Sequence, residues 1–205
     1  GAGDRDALEL AAVVDNLGAS LGVSADWDSV AVSTSGLSRD LDTLFAVLVD
    51  VVRRPRFDAE EAERVRAEQL AGLEKAKDSP QVLASRSFFA QLYPEHPYGL
   101  PLDGAPEAVA QLEAADARRF HARVFTASNT LLFATGDIRA AEIVRRVKEA
   151  FGDWTAGSVP EPGPPPLTPT PAGRRIVVVD RPDLGQAQIV VGHEVGHATG
   201  GHPEV

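Results

Sequence analysis

Residues 156–173, AGSVPEPGPPPLTPTPAG, constrain this chain most, because seven of them are proline. Each proline fixes φ and lacks a backbone N–H, so the stretch can continue neither a helix nor an inner strand. It shows no helical periodicity, and it reads as an extended linker. The chain therefore divides into a unit over 1–155, the linker over 156–173, and the opening of a second unit over 174–205. Gly1 leads directly into a helical pattern and Val205 follows a strand-like run, so both units read as cut, the first at its N-terminal side.

Within the first unit the pattern alternates between helix and strand. Asp4–Leu17 is amphipathic and Gly18 stands at its C-terminal stop. Ala19–Ala25 and Ser29–Ser35 read as two strands, turned tightly by Asp26, Trp27 and Asp28 into an antiparallel hairpin. Ser38 caps a helix over Arg39–Val52 with Leu41, Leu44, Phe45, Leu48 and Val52 on one face. The next helix, Asp58–Asp78, has Asp58 at its N-cap, Glu60 and Glu61 in its first turn, and Lys75 and Lys77 in its last. Pro80 ends it and opens another helix that runs to about Leu92. Pro94–Gly104 is a proline-stiffened loop, followed by helices near Pro106–Gln111 and Ala114–Val124, a buried strand at Thr130–Thr135 and a helix over Ile138–Phe151 with Trp154 packed beyond it. Past the linker, Arg174–Val179 and Gln186–Val191 read as two strands of one hairpin. The fold class is α+β: an antiparallel-rich sheet with helices packed on one face.

Composition narrows the function classes. With 43% apolar residues the chain can build a core, and its net charge of −10 argues against nucleic acid or an anionic membrane surface as partner. There is no cysteine, which excludes disulfides and thiolate metal sites, and no apolar run is long enough for a membrane span.

Several stretches, in order, resemble the insulinase/pitrilysin family of zinc metallopeptidases, which includes the mitochondrial processing peptidases. They are LGASLGVSADWDSVAV, LSRDLDTLFAVLVDVVRRPRFDAEEAERVRAEQL, HPYGLPLDG, FTASNTLLFATGDI, FGDW and VVVDRPDLGQAQIVVGH. The resemblance implies the first half of a duplicated two-domain clam. In the family's active half an inverted motif, His-x-x-Glu-His, supplies two histidine ligands and the glutamate that activates a zinc-bound water. A glutamate on a later helix completes the shell. The inverted motif is not found in this sequence, and its position by resemblance lies before Gly1. The later helix corresponds to Asp58–Asp78. Matching Glu63-Arg64 and Asp78-Ser79-Pro80 to the family pattern puts Gly72 on its inward stripe, where the ligand glutamate should be. Val65 then stands where a supporting acidic residue belongs. Neither side chain can donate to a metal.

Two alternatives retain a metal. Glu68 lies one turn before Gly72, about 40° from its direction on an ideal helix; its competing role is an ion pair with Arg64. His193, Glu194 and His197 formally match H-E-x-x-H, but Gly192, Gly196, Gly200 and Gly201 make the segment a poor helix. His96 is read as bracing its loop and His121 as a surface residue. Leu21, Gly22, Val23 and Ser24 correspond to an edge strand that, by resemblance, receives a substrate backbone by strand addition; a plain sheet edge is the competing role.

The resulting expectation is a non-catalytic family member with no cofactor of its own, pairing with a zinc-bearing subunit to enclose an unfolded peptide. The alternative is a fragment of an active zinc endopeptidase whose motif lies upstream of residue 1. A periplasmic or secreted setting fits the family and the composition.

Overall fold

The computed structural model describes residues 1–158, 174–183 and 185–193. Seven α-helices appear among them: α1 (Ala7–Asn16), α2 (Leu41–Arg53), α3 (Ala59–Ala76), α4 (Pro80–Leu92), α5 (Pro106–Val109), α6 (Ala114–Val124) and α7 (Ala140–Phe151). One antiparallel ladder joins β1 (Ser20–Ala25) to β2 (Val30–Ser35), in register from Ser20 opposite Ser35 to Ala25 opposite Val30. The fold is α+β and helix-rich, and helix α2 packs against β2 while α1 meets β1.

Local chemistry accounts for most helix ends. Asp6 and Glu9 form a reciprocal capping box at the start of α1. Ser79 caps α4 and Pro80 takes its first position, where a missing N–H costs nothing. Two expected caps differ. Ser38 opens a short 3-10 turn, Ser38–Asp40, before α2 instead of capping it. Asp58 is the N-cap residue of α3, but its carboxylate pairs with Arg56 at 3.1 Å and makes no cap bond.

The core lies around α2. Leu44, Val47 and Val52 are buried, Val47 with no exposure at all, and the other fully enclosed large side chain is Leu73 of α3. Leu44 fills the space beside Gly36, where an added Cβ would come within 2.6 Å of its Cδ1. The helical-face reading missed one feature: Asp50 is also buried, held by Arg5 at 2.9 Å and by Arg54. A buried carboxylate needs such partners to stay charged. They fasten the N-terminal turn to the end of α2, where Gly3 adopts φ +59° and donates its N–H to the Arg54 carbonyl at 2.9 Å.

Three expected strands do not form. Thr130–Thr135 forms no ladder among the described residues, and with Leu131 83% and Phe133 88% exposed it is not a buried strand there. Arg174–Val179 and Gln186–Val191 likewise make no ladder among the described residues. The apolar, β-branched sequences favour extended backbone, but a strand also needs a neighbour to take its N–H and C=O groups, and these segments meet none among the described residues. Residues 174–193 instead touch α3 and α4 through side chains: Arg175 donates to Gln91 Oε1 at 3.1 Å and Arg181 to the Lys77 carbonyl at 2.6 Å.

Leu73→Ala should therefore lower the free energy of unfolding by ~2–5 kcal/mol, the range for emptying a buried leucine site. Urea denaturation followed by circular dichroism measures this, and a loss under ~1 kcal/mol would show that the α3 contact is not part of the core.

Candidate functional site

Helix α3 carries the position that decides the chemistry. Its buried side presents Leu73, with Leu70 half-buried, so the face bearing Val65, Glu68 and Gly72 is turned outward. Gly72 is exposed, and an added Cβ would meet no atom within 4 Å. The inward placement expected for it is thus corrected: among the described residues the position opens onto space. Val65, two turns earlier on the same face, is 52% exposed. Glycine inside an exposed helix costs up to ~1 kcal/mol relative to alanine, so helix packing does not explain its presence.

Glu68 is engaged rather than poised. Arg64 Nη1 donates to Glu68 Oε1 at 2.6 Å while its other nitrogens hold Glu61, so the guanidinium bridges two carboxylates along the helix face. The hydrogen bond that Arg64 donates to Glu61, then the Glu61 charge, then Glu68 raise the Arg64 pKa. All three side chains remain solvated, and such a pair contributes little to stability.

Among the described residues no three His, Asp or Glu side chains converge to hold a metal ion. The donor set on α3 does not fit zinc: one position lacks a side chain, another is apolar, and the nearby carboxylate is shared with arginine. His193 is described and exposed, whereas Glu194 and His197 lie outside the described residues.

Two further histidines, His96 and His121, have structural partners. His96 Nδ1 accepts the Tyr98 N–H at 3.2 Å and its ring lies 4.5 Å from that of Tyr98, which braces the loop as expected. His121 is not a plain surface residue. Its Nε2–H donates to the Val52 carbonyl at 2.8 Å and its ring stacks on Phe125 at 4.5 Å, which ties α6 to the end of α2. Phe57 packs its ring near His121 at 5.7 Å in a left-handed conformation, φ +48°, while Arg118 holds its carbonyl at 2.6 Å.

Leu21, Gly22, Val23 and Ser24 lie in β1, whose other edge has no strand beside it among the described residues. Leu21 is half-buried and the other three are exposed. Beyond them the hairpin tip is pinned at long range. Trp27 Nε1 donates to the Leu100 carbonyl at 3.2 Å, and the Tyr98 hydroxyl donates to Asp28 Oδ2 at 2.6 Å. The Asp28 hydrogen bond, followed by burial and charge, raises the Tyr98 pKa. Sequence reasoning assigned Trp27 to the turn but not to this contact, because its partners lie about seventy residues away and leave no local signal.

A second electrostatic cluster closes the end of α3. Arg181 grips Asp183 through two bonds of 2.9 and 2.6 Å and approaches Asp78 at 3.5 Å. The guanidinium lowers the Asp183 pKa to about 2.

Two predictions follow from α3 and its end. Gly72→Glu should fold normally and gain up to ~1 kcal/mol in urea denaturation, since the site is open and glycine is the poorer helix former; a marked loss would mean the face is covered. The folded Asp183 pKa is depressed, so its pairing with Arg181 stabilises the attached segment above the unfolded carboxylate range and is lost as pH falls towards 2. An NMR titration should place Asp183 near 2 in the parent chain, and Arg181→Ala should return it to the ordinary range near ~4.

Comparison with known proteins now places these features. The family profile described as "Insulinase (Peptidase family M16)" matches residues 1–105, just over half the chain, and "Peptidase M16 inactive domain" matches 111–200. A protein of Mycobacterium leprae called an uncharacterized zinc protease is 26% identical over 148 residues, 72% of this chain and 33% of that protein. A non-peptidase homolog of Helicobacter pylori is 20% identical over 161 residues, 78% of this chain and 37% of its own length. The peptidase M16 inactive domain from Pseudomonas fluorescens superimposes with a TM-score of 0.72 at 27% identity, over 78% of this chain and 39% of that one. The chain spans roughly a third of the length of these curated relatives. The chain is a member of the insulinase family, M16, and its own sequence contains no inverted zinc motif.

Proposed function

We propose that this chain is part of a non-catalytic insulinase-family subunit that pairs with a zinc-bearing subunit of the same family and helps enclose an unfolded peptide. The observation that carries the reading is Gly72: the position matching the family's third zinc ligand is an open site on α3 with no side chain to grip a metal. Val65 on the same face and the Arg64–Glu68 pair support it, since neither leaves a carboxylate free to complete a zinc shell. The likeness to a non-peptidase homolog and to an inactive domain agrees with it.

In this reading residues 1–155 form the first domain, 156–173 the linker and 174–205 the start of a homologous second domain. The unpaired edge of β1 at Leu21, Gly22, Val23 and Ser24 takes the peptide backbone as an added strand. Backbone bonding of that kind tolerates many side chains, which suits a subunit that holds peptides without cleaving them.

A second reading is favoured by the name zinc protease borne by the mycobacterial relative. It makes the chain part of an active endopeptidase, with zinc held by an upstream motif together with Glu68, or by His193, Glu194 and His197. Metal analysis of the purified chain together with its native partner separates the two. The first reading expects zinc only in the partner, unchanged by Glu68→Gln or His193→Ala in this chain. Stoichiometric zinc in this chain that disappears with either substitution would establish the second.

A further inference from the structure

We infer that Tyr98, Asp28 and Trp27 form a clasp that positions the peptide-binding edge of β1; this rests on the edge reading above. A two-stranded ribbon is marginal by itself, and its tip is the part that frays first. Here α1 meets β1 and α2 meets β2, and the ladder ends at Ala25 opposite Val30, which leaves Asp26–Ser29 as the turn. Two hydrogen bonds of separate origin meet at that turn: the Trp27 indole on the Leu100 carbonyl and the Tyr98 hydroxyl on the Asp28 carboxylate. The indole also lies 5.8 Å from the Tyr98 ring and 5.9 Å from that of Phe89 on α4. Tyr98 is in turn held by His96 and by an edge-on contact with Tyr93 at 5.8 Å.

The tip is thereby fixed to the 93–104 loop, and the loop to the end of α4. Val23 and Ser24 lie within four residues of Trp27, so the twist and reach of the β1 edge follow from where the tip is held. Strand addition orders both partners, and an edge that is already rigid loses less freedom on binding. Trp27 and Tyr98 act through β1 and touch no peptide themselves, which makes them positioning residues.

The test combines hydrogen exchange with binding of a fluorescein-labelled, unstructured Val–Ser peptide to the whole chain. Tyr98→Phe keeps the ring stack and removes only the hydroxyl. It should speed amide exchange in residues 20–25 and weaken peptide binding by about threefold to tenfold, the range one net hydrogen bond supports. Asp28→Ala should match it, and the double variant should lose no more than either alone. Asp28→Asn, whose amide oxygen still accepts the hydroxyl, should restore binding. Thermal melting should move little in all four, because the buried core around α2 is untouched. If Tyr98→Phe leaves β1 exchange unchanged in a parent chain that binds peptide, the clasp is overturned. If exchange rises but the parent chain binds no peptide, the edge reading is overturned and the clasp's role in binding goes with it.

Discussion

The burial of one face of α2 is the constraint on which the rest of the molecule depends. Val47 is wholly enclosed, Leu44 fills the hollow beside Gly36, and Val52 lends its carbonyl to His121 of α6. From the same helix Arg53 reaches the Ala150 carbonyl and, at 2.8 Å, Asp153 past the end of α7, while Phe45 meets Phe151 edge-on at 6.4 Å. The hairpin, the N-terminal turn, α6 and α7 thus all take their positions from a single apolar stripe and its polar ends. Removing buried side chains from such a centre costs more than the loss of any surface ion pair, since the surrounding atoms cannot fully collapse into the space.

Asp50 adds a polar lock to that apolar centre. Its carboxylate is buried between Arg5 and Arg54 and joins the N-terminal turn to the end of α2. Arg146 of α7 does the same at the other end, joined to Asp42 at 2.5 Å and to Glu142 at 2.7 Å. The hydrogen bond that it donates to Glu142, then that to Asp42, raises its pKa. Arg146 serves two acceptors at once through its planar fork, whereas at Asp50 two arginines each donate to one carboxylate oxygen.

Set against this scaffold, the outward face of α3 is chemically bare. The same helix buries Leu73 and leaves Gly72 open to space among the described residues. The peptide-binding proposal consequently relies on backbone, at the β1 edge, rather than on reactive side chains. Its precision then depends on what holds that edge, and the long-range bonds of Trp27 and Tyr98 are placed to do so.

The sequence by itself determined the helices and roughly where they lie, because a 3.6-residue apolar period and a proline act within a few residues of one another, while the caps at Ser38 and Asp58 did not form as read. It also determined that α3 has glycine at position 72 and that the hairpin turns at Asp26, Trp27 and Asp28, although the second strand starts at Val30 rather than Ser29. Tertiary structure alone decided which extended segments became strands. Leu131 and Phe133, and likewise Ile176 and Val178, have strand-forming sequences, yet no neighbour among the described residues completes their ladders. It also decided that Gly72 faces outward, that Asp50 is buried and that Trp27 docks on Leu100. Burial and ladder pairing are made with partners far along the chain, and local periodicity carries no information about them.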